Sequence, residues 1–263
     1  MKLSIITVNF NNREGLELTA ESIVNQTFDD FEWIVVDGGS TDGSTDVLAT
    51  YASHLAWSVS EPDEGIYSAM NKGLAKARGE YVQFLNSGDS FIDNSVLRTV
   101  FEDQELADVN YGDQWCRKDK VVIDKRRYPK EMDLEFLFRN PIGHQASFIR
   151  TSLAKGHLYR IGYTISADRA FFLELYLSGA VFHYLNLPVV YFDTDGIGSR
   201  DDTLEQRREQ FFRIKRELLP PRAVETIERL MLKSDEYDFV MRVAPLRWIY
   251  SFFKWLQRRL PRI

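Results

Sequence analysis

Four polar clusters in the first 90 residues contain side chains whose types and spacing could bind a ligand. Each cluster lies at the end of a short apolar run: Asn9 follows the first run, Asp37 the second, Asp63 and Lys72 the third, and Asp89 the fourth. A carboxylate beside a glycine-rich turn can accept hydrogen bonds from a base N–H or a ribose hydroxyl, and a helix N-terminus offers backbone N–H groups. These residue types indicate a candidate nucleotide site.

Each cluster also has a purely structural interpretation. The sequence DGGSTDG after the second run suits a turn and a helix N-cap. It has the spacing of neither a GxGxxG dinucleotide loop nor a GxxxxGK[ST] phosphate loop. Residues 64–78 suit a capped surface helix, and Asp89 suits a turn that caps the next helix. In favour of binding, Tyr67 and Asn71 are one helical turn apart and can meet one ligand. From the segments alone, both interpretations stay open.

The elements that must position these clusters alternate between strand and helix. Apolar runs predict strands at residues 3–8, 31–36, 55–60 and 81–85, and helical spacing predicts helices at 15–25, 42–51 and 64–78. This alternation predicts βαβ units and a parallel sheet with both faces covered. Because ligands bind beyond the carboxyl ends of parallel strands, we expect the four clusters to share one rim of the sheet.

The second half of the chain is less regular. We predict helices at 95–105 and 167–177, strands at 109–115, 121–126, 146–149 and 180–192, and amphipathic helices at 201–219 and 223–232. Residues 175–192 lack charged side chains, but they include Gly179 and Pro188, and about 20 mostly apolar residues are needed to span a bilayer. No transmembrane segment is therefore predicted.

Composition excludes several classes of protein. The chain has 263 residues, of which 44% are hydrophobic and 27% charged, as in one large globular domain with an appendage. The single cysteine, Cys116, rules out an intramolecular disulfide and a cysteine-based zinc site, and it suits a reducing compartment. The apolar run at the N-terminus is too short for a signal peptide. We therefore expect a cytoplasmic protein.

Charge is distributed unevenly along the chain. The net charge is −6, yet residues 242–263 hold six basic and no acidic residues, which leaves −12 for residues 1–241. The acidic body argues against nucleic-acid binding. A helix over 246–260 would carry basic residues on one strip and tryptophans among its apolar residues, which is typical of binding to an anionic membrane surface. The alternative is a helix that packs on the body or on a second subunit, giving a homodimer.

Five segments, in order, resemble a known family. They are SIITVNFNN, WIVVDGGSTDGS, DEGIYSAMNKGLAKARGEYVQFLNSGD, GHQASF and SADRAFFLEL, which fall within residues 1–200. They resemble the family 2 glycosyltransferases, in particular bacterial enzymes of exopolysaccharide, lipopolysaccharide and glycolipid assembly. The resemblance implies an α/β GT-A fold, a Rossmann-like, mixed but mostly parallel sheet flanked by helices. It predicts a catalytic domain at 1–200, a C-terminal helical extension at 201–241 and the basic tail helix at 242–263.

The resemblance also implies a nucleotide-diphosphate-sugar donor, most often a UDP-sugar, with Mg²⁺ or Mn²⁺ and inversion at the anomeric carbon. By position, it assigns the donor to Thr7, Val8, Asn9, Asp37, Asp63, Asn71 and Lys72, the metal to Asp89, the catalytic base to Asp168, and the acceptor side to His144 and Gln145. Many relatives have an Asp-x-Asp-Asp motif where this chain has Asn86-Ser87-Gly88-Asp89. With one carboxylate left in the motif, we expect a weaker metal site.

The predicted function is therefore transfer of a sugar to a hydroxyl of a saccharide or lipid-linked acceptor. Asp89 with its metal, assisted by Lys72, would neutralise the leaving diphosphate, and Asp168 would accept the acceptor's proton. As an alternative, Ser166 and Asp168 would only cap a helix. Two other functions stay open. One is a catalytically silent nucleotide-sugar-binding or scaffold protein, which the reduced metal motif suggests. The other is a sugar-nucleotide pyrophosphorylase, which should carry a glycine-rich loop with Arg and Lys after the first strand; the segment VNFNNREG of this chain matches that loop poorly.

Overall fold

The computed structural model describes residues 1–194 and 203–242, with side chains for 1–194 and 203–235. The chain divides into two compact units, Met1–Arg213 and Ile214–Ile263. The predicted domain boundary at 200/201 and the predicted tail helix over 246–260 lie outside the described residues. The three-part division of the chain therefore stays a prediction.

The first unit contains a nine-stranded mixed sheet. Its strands are β1 (Leu3–Asn9), β2 (Phe31–Asp37), β3 (Leu55–Ser60), β4 (Tyr81–Phe84), β5 (Ser90–Phe91), β6 (Val109–Lys118), β7 (Val121–Arg126), β8 (Ser147–Arg150) and β9 (Phe182–Asp193). Their order is β3-β2-β1-β4-β8-β6-β9-β5, and β7 pairs with β6. The first four strands of this order are parallel. Beyond them, β8 is antiparallel to both neighbours and β6 is parallel to β9. The structure thus confirms the predicted α/β class.

Helices connect and cover these strands. They are α1 (Arg13–Val24), α2 (Ser44–Thr50), α3 (Ile66–Lys76), α4 (Val96–Glu102), α5 (Leu134–Arg139), α6 (Thr151–Gly156), α7 (Ala167–Leu177), α8 (Leu204–Leu218) and α9 (Pro221–Arg242). Short 3-10 segments lie at Ala52–His54 and His144–Ala146. The sequence pattern missed β5, α5 and α6, and it ended α9 ten residues early. Among the described residues, no helix is both long and apolar enough to cross a membrane.

The core lies around the parallel strands. All seven residues of β1 and all four of β4 are buried, because the sheet is covered on both faces. Helix α3 approaches β1 closely at Gly73, where a Cβ atom would lie only 2.5 Å from Ile6 Cγ2. Only glycine permits this approach without displacing the strand. The contact fixes α3, and with it the side chains at both ends of that helix, over the parallel strands.

Candidate active site

Asn9 and Asp37 are paired at the carboxyl ends of β1 and β2. Asn9 Nδ2 donates to Asp37 Oδ1 at 2.7 Å, and Asp37 also accepts from the Ser40 backbone N–H and from the Ser40 and Ser60 hydroxyls. Burial raises the pKa of Asp37, but these hydrogen bonds outweigh it and leave the pKa below its ordinary value. The site therefore holds a buried, ionised carboxylate. The neighbouring Asn9 Oδ1 is buried without a hydrogen-bond partner.

The turn after Asp37 also has the structural role that its sequence suggested. Gly39 and Gly43 both have positive φ angles, of 80° and 91°, which glycine adopts without strain. Asp42 accepts from the Ser44 backbone N–H at the start of α2 and from the Arg13 backbone N–H. The glycines and Asp42 therefore form the turn. Asp37 does not cap α2, so the turn does not account for its buried carboxylate.

Asp63 and Lys72 form an ion pair, with Lys72 Nζ 2.6 Å from Asp63 Oδ1. Glu61 Oε1 lies 2.7 Å from the same ammonium group, and hydrogen bonds from Asp63 and Glu61 raise the pKa of Lys72. Two carboxylates thus already neutralise the one cation that we predicted for a phosphate. Asp63 Oδ2 is buried without a hydrogen-bond partner, so an acceptor oxygen is available to a ligand donor.

Tyr67 and Asn71 share one face of α3, as the sequence predicted, but this face meets the protein backbone. Asn71 Nδ2 donates to the Tyr159 carbonyl at 2.7 Å, and Asn71 Oδ1 accepts from the Tyr159 N–H at 2.9 Å. The Tyr67 hydroxyl donates to the Ile165 carbonyl at 2.6 Å. Both ends of the Asn71 amide therefore hold the segment that leads to Asp168, and the donor role of Asn71 stays a prediction.

Asp168 lies in the first turn of α7, at the position that the sequence predicted. Its Oδ1 accepts from the Arg169 N–H at 2.8 Å, and the Tyr67 hydroxyl lies 3.5 Å away. Burial raises the pKa of Asp168 to about 6, although the Arg169 N–H, the Arg169 charge and Tyr67 oppose the increase. Ser166 makes no capping hydrogen bond through its side chain. A carboxylate with this pKa can accept a proton near neutral pH.

Asp89 lies at the same edge of the sheet and is 5% exposed. Its Oδ1 accepts from the Asp193 N–H at 2.9 Å, at the end of β9. Burial raises the pKa of Asp89 to about 8, and the Asp193 carboxylate also raises it. Arg117 of β6 donates to the Gly88 carbonyl at 3.1 Å. The reduced metal motif is thus joined by a second acid, Asp193, and by a nearby guanidinium.

His144 and Gln145 lie behind this motif. Asn86 Nδ2 is 3.2 Å from His144 Nε2, and burial lowers the pKa of His144 to about 4, which keeps the imidazole neutral. The Gln145 side chain is buried, and the Gln145 backbone carbonyl accepts from Gln83 Nε2 at 2.6 Å. The structure thus places His144 against the motif and Gln145 against Gln83 of β4. Their predicted acceptor role stays a prediction.

Two further predicted donor residues belong to β1. Thr7 is fully buried, and its hydroxyl accepts from Trp33 Nε1 at 3.0 Å. Val8 is also buried, on the strand that ends at Asn9. The Thr7 side chain therefore packs in the core and holds Trp33, and its predicted place against a base stays a prediction.

Backbone hydrogen bonds join these clusters along one edge. The Glu61 N–H donates to the Asp37 carbonyl at 3.0 Å, and the Ser87 N–H donates to the Val8 carbonyl at 3.1 Å. The predicted donor residues at the ends of β1 and β2 are thereby connected on one side to the Asp63 segment and α3, and on the other to the Asn86–Asp89 segment. Helix α3 then continues the connection to Asp168 through Tyr67.

Comparison with known proteins gives this arrangement a family. Residues 4–158, more than half of the chain, match the model of Glycosyl transferase family 2. The chain belongs to glycosyltransferase family 2. An uncharacterized glycosyltransferase of Mycobacterium tuberculosis is 36% identical over 206 residues, which cover 75% of this chain and 77% of that protein. A PGL/p-HBAD biosynthesis glycosyltransferase of Mycobacterium bovis is 32% identical over 203 residues, which cover 73% of this chain and 77% of that protein.

Solved structures confirm the GT-A fold of this glycosyltransferase. Residues 1–349 of Staphylococcus aureus TarS, in complex with UDP-GlcNAc, superpose with a TM-score of 0.62 at 22% identity. The match covers 73% of this chain and 58% of the TarS chain. A mannosyltransferase of Pyrobaculum calidifontis with GDP-Man and Mn²⁺ superposes with a TM-score of 0.53 at 15% identity. The match covers 71% of this chain and 55% of the mannosyltransferase. The chain thus spans less than two thirds of either solved chain. At these identities the likeness concerns the fold.

The residues around Asp89 fit a divalent cation. Mg²⁺ is usually bound by one or two carboxylates together with substrate phosphates and water. Asp89 and Asp193 provide such a pair, and the raised pKa of Asp89 means that its ionised form needs a positive partner. No group of three or more His, Cys, Asp or Glu residues suited to a metal occurs within the described parts of the chain. These two carboxylates therefore suit a cation that the diphosphate of a bound sugar donor would help to hold.

Three residues of the glycosyltransferase site were missed or misjudged from the sequence. Asp193 directly follows the predicted strand at 180–192, so the rule that found Asp37 and Asp89 could have found it. Arg169 follows Asp168, and its guanidinium carbon lies 3.4 Å from the centre of the Phe211 ring, with Nε and Nη2 buried and unbonded. No sequence signal indicated that contact. The hydroxyl of Tyr67, predicted to meet a ligand, faces Asp168.

Proposed function

We propose that this glycosyltransferase is an inverting enzyme that moves a sugar from a nucleotide-diphosphate donor, a UDP-sugar, to a hydroxyl of a saccharide or lipid-linked acceptor. The observation that carries the proposal is Asp168, a carboxyl group with a pKa of about 6 at the edge that also holds Asp37 and Asp89. The UDP-GlcNAc complex of TarS supports a UDP-sugar donor. The PGL/p-HBAD biosynthesis relative and a cholesterol galactosyltransferase of Borreliella burgdorferi, 34% identical over 102 residues, support glycolipid or cell-surface assembly.

The nucleoside would be held by the cluster at the ends of β1 and β2. Two of the donors to Asp37 are the Ser40 and Ser60 hydroxyls, which can rotate to other acceptors. An N–H of the base or a ribose hydroxyl can then take their place on a carboxylate that is already ionised. The unpartnered Asp63 Oδ2 offers a second acceptor for the same ligand.

Asp168 would act as the base in a single displacement. The acceptor hydroxyl gives its proton to Asp168 while its oxygen forms a bond to the anomeric carbon. The bond from that carbon to the diphosphate breaks, and the electron pair leaves with the diphosphate. Because attack comes from the face opposite the leaving group, the configuration at the anomeric carbon inverts, as in single-displacement glycosidases.

Charge that develops on the diphosphate needs a positive partner. A divalent cation, Mg²⁺ or Mn²⁺, held by Asp89 and Asp193 would supply that charge. Lys72 is less suited to this role than we predicted, because Asp63 and Glu61 already neutralise it. We therefore assign Lys72 to fixing Asp63 beside the nucleotide.

The acceptor and the basic tail together suggest work at a cytoplasmic membrane surface. Residues 242–263 hold six basic and no acidic residues. We expect the full chain to pellet with vesicles of phosphatidylglycerol and phosphatidylcholine, since each basic residue near an anionic surface contributes about 1 kcal/mol. The Lys254→Gln/Arg258→Gln/Arg259→Gln variant should pellet much less. Equal pelleting of the two proteins would contradict the tail as an anchor.

A donor panel tests the proposed reaction. A preferred UDP-sugar should raise the melting temperature more than UDP alone, by mass action. NMR of the product formed with a glycolipid acceptor should show inverted configuration, and retained configuration would contradict the mechanism. The second candidate, a silent nucleotide-sugar-binding protein, is favoured by Asn86 in the metal motif. Tight donor binding with neither transfer nor donor hydrolysis would support it.

A further inference from the structure

The β6–β7 hairpin ends in a surface with no role in the reaction described above. Residues 118–127, the hairpin tip, are exposed at every position. The two turn residues, Asp119 and Lys120, have positive φ angles of 48° and 65°, as in the two-residue turns that favour tight hairpins. Strand β7 pairs with β6 alone among the described strands, so it is an edge strand.

The hairpin tip combines exposed aliphatic and basic side chains. Val121, Val122 and Ile123 are 62%, 37% and 58% exposed, in a row. Around them lie five basic residues and two acidic ones, which give the tip a net charge of +3 on a chain whose net charge is −6. Edge strands are commonly protected by lysines that discourage pairing. Three successive exposed β-branched residues go against that purpose and indicate a binding surface.

Aromatic rings support the base of the hairpin tip. Lys125 Nζ lies 3.9 Å from the centre of the Trp115 ring, and the Arg126 guanidinium lies 5.8 Å from that of Phe192. The register between β6 and β7 shifts so that Val122 pairs with Arg117 and Asp124 with Cys116. Ile123 is the extra residue of this bulge. The tip therefore projects from the sheet, and the bulge interrupts the alternation of side chains between the two faces of β7.

The hairpin is also connected to the candidate active site. Arg117, at the base of the tip, pairs with Asp193 across β6 and β9 and donates to the Gly88 carbonyl at 3.1 Å. A surface that binds the tip would therefore lie at a fixed distance from the sheet edge that carries Asp89. This suits an enzyme whose acceptor is embedded in that surface.

We propose that the hairpin tip docks on an anionic membrane. The three aliphatic side chains enter the headgroup region, and the basic side chains contact lipid phosphates, the combination that interfacial segments use. Charge selects this occupant, because the +3 tip is attracted by an anionic lipid surface and repelled by the basic tip of a second copy. The proposal depends neither on the donor nor on the tail, since it concerns residues 118–127 alone.

A site-specific fluorescent label tests the proposal in the full chain. Ile123→Cys, labelled with the environment-sensitive dye NBD, should show a blue shift and quenching by doxyl-labelled lipid on phosphatidylglycerol/phosphatidylcholine vesicles. The matched control is labelled Val181→Cys, since Val181 is 60% exposed next to the opposite end of β9; it should show no change. Cys116 is buried, and dye-treated wild type measures any reaction there.

A second variant tests the charge. Lys118→Gln/Lys120→Gln should weaken vesicle partitioning about fivefold for each lysine removed. An unchanged Ile123 label on a chain that pellets with vesicles would overturn the proposal, as would failure of the chain to bind vesicles. A label that responds to protein concentration without vesicles would instead indicate pairing of β7 with a second copy. None of these measurements uses sugar transfer, so failure here leaves the proposed reaction untouched.

Discussion

Asp89 carries a carboxyl group whose ionisation is costly. Burial and the nearby Asp193 carboxylate both raise its pKa, to about 8. A cation bound here would compete with a proton for this group and would release it. We therefore expect metal binding at Asp89 to depend on pH.

We predict that Mn²⁺ with UDP raises the melting temperature of the wild type, and more at pH 8.5 than at pH 6.5, because the proton competes less at higher pH. Asp89→Asn should abolish the Mn²⁺-dependent part of the shift and keep the part due to UDP. Differential scanning fluorimetry measures both. The exposed Asp29→Asn is the control, and a Mn²⁺ shift that survives in Asp89→Asn would place the cation elsewhere.

The ionisation of Asp168 should set the acidic limb of the activity profile. A base must be deprotonated, so kcat/KM should rise with pH and level off above the pKa of Asp168, which is about 6. The Tyr67 hydroxyl lowers that pKa, so Tyr67→Phe should move the limb to higher pH. Initial rates over a pH series measure it, with Tyr176→Phe as control. A limb that stays in place or moves to lower pH would contradict the Tyr67 contact.

At the scale of elements, α3 is the part that holds the site together. Tyr67 in its first turn reaches Ile165 and Asp168. Midway along the helix, Asn71 holds the backbone of Tyr159 and Lys72 fixes Asp63. Gly73 allows the close approach of this helix to β1. A single helix thus fixes both the predicted donor side and the predicted base.

We predict that Asn71→Ala lowers the free energy of unfolding by about 2–3 kcal/mol, because two hydrogen bonds to buried backbone groups are lost. UDP affinity should change little, since the amide faces the Tyr159 segment. Urea unfolding and UDP titration measure the two effects. The exposed Asn25→Ala should stay within about 0.5 kcal/mol of wild type. A large loss of UDP affinity at unchanged stability would restore Asn71 to the donor site.

Strongly patterned elements could be predicted from the sequence, and three short ones, β5, α5 and α6, could not. Strands β1, β2 and β4 were found because burial on both faces makes them continuous apolar runs, and α7 was placed at Ala167–Leu177 as observed. Strand β5 and helices α5 and α6 have two to six residues. Too few positions are then available for a period to appear.

The same limit applies to the site. Strand ends drew attention to Asp37 and Asp89, and the family resemblance drew attention to Asp168. Their partners are tertiary contacts without a local signal. Thr7 is separated from Trp33 by 26 positions and Asn71 from Tyr159 by 88. Both side chains were predicted to contact a ligand, and the structure adds contacts within the chain that the sequence did not indicate.

At the scale of the first unit, the two parts of the sheet have different tasks. The parallel strands β1 to β3 end in the polar cluster around Asn9 and Asp37, which we assign to the nucleoside. Strands β6 and β9 bring Arg117 and Asp193 to the Asp89 segment, and α7 contributes Asp168. We therefore expect substitutions at the parallel strand ends to affect donor binding, and substitutions at α7 to affect transfer.

The measurement that tests this division most directly compares two variants for UDP affinity and sugar transfer. Asp168→Asn should bind UDP like the wild type and lose transfer by at least about 100-fold, the range of general base catalysis. Asp37→Ala should weaken UDP binding about 10-fold or more, because hydrogen bonds to a charged group are lost. Isothermal titration with UDP and radiolabelled sugar transfer give both values from one sample. Wild-type transfer by Asp168→Asn, or wild-type UDP affinity in Asp37→Ala, would contradict the account.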